Sequence, residues 1–128
     1  MNSHTKYLVF GPKQSLQKMG DKLLSSLEPK FVYEYQSPVN KDHIFVAVFE
    51  EYEKQINSSV TLTLVFEKRE NQNVIYLKKT GGRMGFRGSS LSEEKTVEHD
   101  VIEFIFDYTK RFGLTLQEEK IVKEDEDV

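Results

Sequence analysis

The sequence predicts an α+β protein: a two-layer sandwich in which two helices lie on one face of a mainly antiparallel sheet of five to six strands, in the order β-α-β-β-β-β-β-α. Two stretches, one near each end, repeat apolar residues at helical spacing, and the stretches between them alternate apolar and polar residues. Short polar turns join the alternating stretches, which favours antiparallel neighbours. The alternative is a small helix-grip fold, in which the sheet curls around the C-terminal helix and leaves a ligand cavity.

A short strand and an amphipathic helix come first in the chain. Residues 6–10 are predicted to form the strand, which Gly11-Pro12 ends, because Pro fits the first turn of a following helix. The helix is expected to end before Pro29. Gly20 inside it costs about 1 kcal/mol relative to Ala, so we expect a kink or a close approach there. The predicted buried face of this helix consists of Leu16, Met19, Leu23, Leu24 and Leu27.

Five strands are expected between the two helices. The second of them is apolar on both sides until Glu50, which is typical of a central strand. Gly81-Gly82 suits a tight hairpin that leads into the fifth and weakest of these strands. The five predicted strands comprise residues 30–36, 43–52, 60–66, 74–80 and 83–87.

A second amphipathic helix follows, and an acidic tail ends the sequence. Ser90-x-x-Glu93 matches a capping box, so the helix is expected to start near Leu91, and Gly113 is expected to end it. Residues 1–116 are therefore predicted to form a single domain, while residues 117–128 form a disordered acidic tail. The predicted buried face of the helix consists of Val97, Val101, Phe104, Ile105, Tyr108 and Phe112.

Composition excludes several classes of protein. The chain of 128 residues has no Cys, which removes disulfides, thiolate metal sites and Cys nucleophiles. We see no signal peptide and no apolar run near the roughly 20 residues that a membrane-spanning helix needs, so we expect a soluble, cytoplasmic protein without membrane contact. The net charge is −3, but residues 117–128 hold six acidic and two basic side chains, so the body carries about +1. This charge gives no argument for nucleic acid.

A glycine- and arginine-rich segment before the last helix is the candidate site for a small anionic ligand. Glycines let backbone N–H groups approach a phosphate or carboxylate, a helix N-terminus adds positive potential, and Arg supplies paired donors. The segment matches neither a P-loop nor a dinucleotide fingerprint. A plain hairpin followed by a capped helix is the alternative interpretation. The candidate anion-binding residues are Gly81, Gly82, Arg83, Arg87, Ser89 and Ser90.

Three other combinations of residues are interpreted as ordinary structure. His99 and Glu103 share a helix face, but helical geometry turns them away from the buried stripe, so we do not expect a metal site. His43 and Glu50 lack any partner pattern typical of catalysis. The sequence thus predicts no catalytic, metal-binding or cofactor-binding residues and no cofactor. The aromatic residues of the first two middle strands are interpreted as core and not as a nucleobase-stacking platform: Phe31, Tyr33, Tyr35, Phe49 and Tyr52.

A second apolar stripe on the last helix predicts a contact surface. Ile102 and Phe106 lie one turn apart and about 100° or more from the centre of the main stripe, so packing of the main stripe leaves them uncovered. A homodimer contact, a protein partner or a curled sheet would cover them.

Several segments together resemble a family of small, uncharacterised bacterial domains common in Gram-positive organisms. These are Phe49-Glu50-Glu51-Tyr52, the strand at residues 59–64, Gly81-Gly82 and the capped last helix, and the similarity covers about residues 30–108. The resemblance implies the α+β fold and a bacterial origin. It implies no activity, because the family has none assigned.

The sequence therefore predicts a cytoplasmic, non-enzymatic module that binds itself or another protein. The alternative function is a small-anion-binding protein or enzyme that uses the glycine- and arginine-rich hairpin. A concave polar pocket with converging titratable groups would favour the enzyme, and a flat apolar patch would favour the interaction module.

Overall fold

The computed structural model describes residues 2–39, 42–53, 58–81 and 96–123. In chain order the elements are β1 (Asn2–Phe10), α1 (Lys13–Leu27), β2 (Phe31–Gln36), β3 (His43–Glu53), β4 (Ser58–Lys68), β5 (Gln72–Gly81), α2 (Val97–Arg111) and β6 (Thr115–Lys123).

The six strands form one antiparallel sheet in the order β2-β3-β4-β5-β1-β6. Strands β2 to β5 are neighbours in both sequence and space, whereas β1 lies between β5 and β6. Together with the two helices, this sheet confirms the predicted α+β sandwich. No helix among the described residues is long and apolar enough to cross a membrane.

Both helices pack on the same face of the sheet, where they share one core. Tyr7, Phe45 and Leu64 are buried on this face. The Tyr108 hydroxyl on α2 donates a hydrogen bond to the Ser15 carbonyl on α1 (2.7 Å), which joins the two helices directly. Because α1 shares the face with α2, the observed arrangement is the two-layer one and not a sheet curled around the last helix alone. The helical residues of this core are Leu16, Met19, Leu23, Val101, Ile105 and Tyr108.

Asn73 ties α1 to the middle of the sheet. This residue, which lies between the strands predicted at residues 60–66 and 74–80, is fully buried in β5. Its side-chain amide donates a hydrogen bond to the Leu16 carbonyl (2.9 Å) and lies 3.7 Å from the Met19 sulfur. A buried amide held in this way fixes where the first turn of α1 sits on the sheet, because an unpaired donor there would cost about 1–3 kcal/mol.

Gly20 is where α1 approaches the sheet most closely. A Cβ at this position would lie 2.9 Å from Cε2 of Phe45 and 3.5 Å from Cε1 of Phe66. The two rings stack with centroids 4.9 Å apart, and both are buried. Of the two predictions for Gly20, the close approach is therefore the correct one.

Helix α2 begins at Val97, not near Leu91 as the capping box predicts. Thr96 is its N-cap, and the Thr96 hydroxyl accepts a hydrogen bond from the His99 N–H (3.1 Å). The Val97 N–H donates to Oε1 of Glu51 on β3 (3.0 Å). The start of α2 is thus set by a local cap and by a carboxylate from a strand far away in sequence. The predicted capping residues, Ser90 and Glu93, lie outside the described residues.

Gly113 ends α2 as predicted. Its φ of +66° lies in the left-handed region, where only Gly is unstrained. The Leu114 N–H donates to the Thr109 carbonyl (2.8 Å), and the Gly113 N–H donates to the Lys110 carbonyl (3.4 Å), which together form a Schellman motif. Leu114 then turns towards the end of β1, since a Cβ on Gly11 would lie 2.3 Å from the Leu114 side chain.

The prediction of a disordered tail from Gln117 is wrong for residues 117–123. These residues belong to β6, which pairs with β1 from Asn2↔Lys123 to Phe10↔Thr115. Leu116 packs against the core beside β1. The domain therefore extends to Lys123 and not to residue 116, while residues 124–128 lie outside the described residues. The strand predicted at residues 83–87 also lies outside them, so the sixth strand observed is β6.

Replacing Gly20 tests the close approach of α1 to the sheet. Ala is favoured over Gly in a helix by about 1 kcal/mol. We nevertheless expect Gly20→Ala to lower the free energy of unfolding by about 1–2 kcal/mol, because the stacked rings of Phe45 and Phe66 cannot move aside in a packed core. Urea unfolding measures the change, with Lys18→Ala on the exposed face of α1 as the control. Equal or greater stability of Gly20→Ala would contradict the proposed packing.

Candidate functional site

The helix-free face of the sheet carries an apolar surface at its β2–β3 end. Phe45, Ala47 and Phe49 of β3 are buried beneath the helices. The alternate residues of β3 therefore point to the other face, where they lie opposite the aromatic residues of β2. We call this surface the open-face patch, and it consists of Phe31, Tyr33, Tyr35, Ile44, Val46 and Val48.

The three aromatic residues of the patch are among the most exposed apolar side chains described. Phe31 is 58% exposed, Tyr33 57% and Tyr35 48%. The interpretation of these residues as core, and of Tyr52 with them, is wrong, whereas Phe49 is buried as predicted. Neighbouring exposed aromatic rings on one flat surface are uncommon on proteins that bind nothing, and they mark an interaction surface.

The position of β2 at the end of the sheet explains the exposure. Of the strands that the structure describes, only β3 pairs with it, so no described strand covers its other edge. The Ser37 N–H donates to the Asp42 carbonyl (2.8 Å), which makes 37/42 a hydrogen-bonded pair. Such pairs recur every second residue, so Tyr33 and Tyr35 direct their backbone groups towards β3. The alternate residues of β2 direct their N–H and C=O groups the other way, within the plane of the sheet and away from β3. These residues are Val32, Glu34 and Gln36.

The two edges of the sheet differ in their protection. Natural edge strands avoid unwanted pairing by carrying charges or Pro. The other edge strand, β6, contains Glu118, Glu119, Lys120 and Lys123, whereas β2 contains one charge, Glu34, and no Pro. The Glu34 carboxylate lies 3.2 Å from Nε2 of His43 on β3. Strand β2 is therefore the less protected edge.

A groove of about 360 Å³ separates the two helices on the other side of the molecule. The rings of Phe104 and Tyr108 stack along it with centroids 5.7 Å apart, and the Phe112 ring lies tilted against Tyr108 with centroids 4.6 Å apart. Lys22 and Arg111 supply two positive charges, and Asp107 offsets one of them. The groove therefore offers an aromatic wall with one net positive charge.

A smaller cavity of about 260 Å³ lies at the start of α2 and is acidic. Glu28, Glu50, Glu51 and Asp100 line it together with Lys30. Glu51 already accepts the hydrogen bond from Val97 that fixes the helix start. Within the described ranges, no group of three or more His, Asp or Glu residues is placed to hold a metal ion.

Of the six candidate anion-binding residues, the structure describes Gly81. A Cβ on Gly81 would lie 2.6 Å from the Ser59 carbonyl oxygen, and its φ of +91° is in the region that favours Gly. The conformation at the end of β5 and the approach of β4 thus explain this glycine. Gly82, Arg83, Arg87, Ser89 and Ser90 lie outside the described residues, so the anion site stays a prediction.

The two candidate interface residues on α2 have different surroundings. Ile102 is half-buried and packs against the core. Phe106 is 44% exposed, and its ring meets the edge of the Tyr7 ring with centroids 6.1 Å apart. Strands β1 and β6 thus widen the sheet beneath this side of α2. A partner contact at Ile102 and Phe106 stays a prediction.

The remaining polar combinations from the sequence lie on the surface. His99 and Glu103 are about half exposed, and their side chains come within 3.8 Å of each other, one turn apart. Asp42 and His43 lie at the start of β3, whereas Glu50 and Glu51 lie at its other end. The structure therefore does not bring His43 together with these two carboxylates.

Comparison with known proteins adds no family assignment. No protein-family model matches the chain, and no curated protein is significantly similar to it. The resemblance to small bacterial domains stays a prediction.

The open-face patch is the site that the sequence interpretation missed. The sequence of β3 contains a signal for this site, because Ile44, Val46 and Val48 make the face of β3 that points away from the helices apolar as well. A strand whose two faces are both apolar needs neighbouring groups to cover each face. The two helices lie on the same face of the sheet, so they cover that face and not the other. The alternation in β2 shows which side chains share a face but not which face is covered.

Tyr7 allows a test of the core beneath α2 through its pH dependence. Burial, and then the charges of Glu118 and Glu98, raise the pKa of Tyr7 from 10.0 to about 12. The folded protein thus holds the phenolic proton more tightly than the unfolded chain does. This contribution to stability is complete below pH 10 and is lost as the pH rises towards 12.

We expect Tyr7→Phe to make the free energy of unfolding less dependent on pH between 10 and 12 than in the wild type. Urea unfolding at several pH values in this range measures the slope. Tyr33→Phe is the matched control, because its side chain is more than half exposed. Identical slopes for the wild type and Tyr7→Phe would show that Tyr7 is not buried as described.

Proposed function

We propose that the protein is a non-enzymatic binding module that contacts another protein surface through the open-face patch. The observation that carries the proposal is the row of three exposed aromatic side chains, Phe31, Tyr33 and Tyr35, on an edge strand. Aromatic residues, Tyr above all, are enriched at protein interfaces, because they combine a large apolar area with a polar tip.

Charge supports a protein partner over a nucleic acid. Among the described residues of the helix-free face, the register places three positive residues and three negative ones: Lys6, Lys78 and Lys123, and Glu50, Glu67 and Glu119. Binding of nucleic acid draws most of its affinity from an excess of Lys and Arg near phosphates. This face has no such excess, so its aromatic rings are better suited to an apolar protein surface.

The patch is also more exposed than a purely structural role requires. Replacing Phe31 and Tyr35 together by Ser removes apolar area that is already about half in contact with water. The buried half of each ring contributes about 1 kcal/mol to stability, so the double variant is expected to be less stable but still folded. Circular dichroism of the variant therefore accompanies the binding measurement, so that loss of binding is separated from loss of folding.

Site-specific photo-cross-linking in the cells that naturally produce the protein tests the proposal. A photoreactive phenylalanine analogue in place of Tyr33 should yield a covalent adduct with a protein, whereas the same analogue at Lys18 on the exposed face of α1 should not. Adding Phe31→Ser and Tyr35→Ser to the Tyr33 probe should lower the yield several-fold in a protein that circular dichroism shows to be folded. Equal adducts at both positions, or none at Tyr33, would refute binding through the patch.

A further inference from the structure

The free edge of β2 and the open-face patch beside it fit a second copy of this chain. We propose that β2 of one copy pairs antiparallel with β2 of a second copy about a two-fold axis at Tyr33, which joins the two sheets into one. The inference rests on the proposed function, because it names the partner of the β2 residues of that patch, Phe31, Tyr33 and Tyr35.

The backbone supplies the first argument. The N–H and C=O groups of Val32 and Glu34 point away from β3, as the pairing register and the Ser37–Asp42 hydrogen bond require. A two-fold axis at Tyr33 places Val32 of each copy opposite Glu34 of the other. Both are then hydrogen-bonded pairs, each of which exchanges two N–H···O bonds. The outward backbone groups of the strand centre are thereby satisfied.

Charge and side-chain pairing select this register over its neighbours. An axis at Glu34 would place two carboxylates directly opposite each other, which is unfavourable. An axis at Val32 would need the Lys30 N–H, which already donates to the Val48 carbonyl (2.8 Å). The axis at Tyr33 separates the carboxylates and leaves the Lys30 N–H out of the two central pairs, so the occupied donor affects the terminal pair of Lys30 with Gln36. It also aligns Phe31 of each copy with Tyr35 of the other, so that the aromatic rings form one continuous row.

The difference between the two sheet edges supports pairing at β2. Strand β6 carries two adjacent glutamates, Glu118 and Glu119. If β6 of two copies paired, each carboxylate would lie close to a like charge or would lose water against the backbone of the other copy. Strand β2 has Glu34 as its single charge, and the proposed register places that carboxylate opposite Val32. The same chain therefore discourages association at one edge and permits it at the other.

The area available predicts a weak dimer. An aromatic side chain buries roughly 150–250 Å² when covered completely. Three rings that are about half exposed therefore supply on the order of 300 Å² from each copy. Even with the backbone and Val32 added, this lies at or below the low end of the roughly 1,200–2,000 Å² of standard interfaces. We expect monomer and dimer to exchange, with the dimer favoured at high protein concentration.

A disulfide trap tests both the partner and the register, because the chain contains no Cys. In the proposed dimer the two Tyr33 residues form a non-hydrogen-bonded pair with Cα atoms about 4.5 Å apart, which a disulfide can bridge. Under mild oxidation, Tyr33→Cys should give a covalent dimer on a non-reducing gel. Tyr35→Cys should give at least several-fold less, since its two copies lie about four residues, or 13 Å, apart.

The double variant Phe31→Cys/Tyr35→Cys is the positive control, because each new thiol faces the other residue of the second copy. Equal trapping of Tyr33→Cys and Tyr35→Cys, or no trapping of Tyr33→Cys, would overturn the proposed pairing. Circular dichroism of the reduced variants verifies that they are folded.

A proline variant gives a second, independent measurement. Pro is tolerated on an edge strand where the N–H it replaces points to solvent, as that of Val32 does. Val32→Pro should therefore keep the monomer fold but abolish concentration-dependent association in analytical ultracentrifugation. Retained association of a folded Val32→Pro would overturn the inference.

The two proposals fail in distinguishable ways. A Tyr33 photo-adduct with a different protein, combined with no Tyr33→Cys dimer, overturns the second copy as partner and leaves the binding function in place. The absence of both the adduct and the disulfide dimer overturns both proposals.

Discussion

The packing of both helices against one face of the sheet is the constraint on which the rest of the structure depends. It buries the side chains of β3, β4 and β5 that point towards α1 and α2. Because side chains alternate along a strand, the same packing leaves every second residue of those strands on the opposite face. Where these residues are polar, as with Thr61 and Thr63, the sheet needs nothing further. Where they are apolar, as at the β2–β3 end, the molecule presents an exposed apolar surface.

Periodicity was enough to predict the two helices and strands β1 to β5, but not β6 and not which strands are neighbours in the sheet. The spacing of Leu16, Met19 and Leu23 specifies a helix with one buried face, and the alternation from Val60 to Phe66 specifies a strand, because both patterns follow from backbone geometry alone. The position of β1 between β5 and β6 depends on which strands still have an unpaired edge once the hairpins have formed. A local sequence pattern carries no information about which edges are unpaired.

Two errors at the C-terminal side have long-range causes. The stretch that contains Glu118 and Glu119 is too polar to predict a strand by itself, yet it pairs along the whole length of β1. Similarly, the start of α2 is fixed by the Thr96 cap and by the Glu51 carboxylate from β3, and the second of these is a tertiary contact that the local sequence does not reveal. The candidate site was missed for the same reason, since the exposure of Tyr33 follows from the edge position of β2 and not from its own sequence.

The position of β1 also bears on how the chain folds as it is synthesised. β1 leaves the ribosome before the other strands described, but its two neighbours in the sheet are β5 and β6, which are made later. Its apolar residues Tyr7 and Val9 therefore cannot form their native strand pairs until about 60 further residues have been made. Only the arrival of β5 gives β1 a partner, and only β6 closes its other side. The nascent protein thus depends on the last part of the translated domain to shield the first.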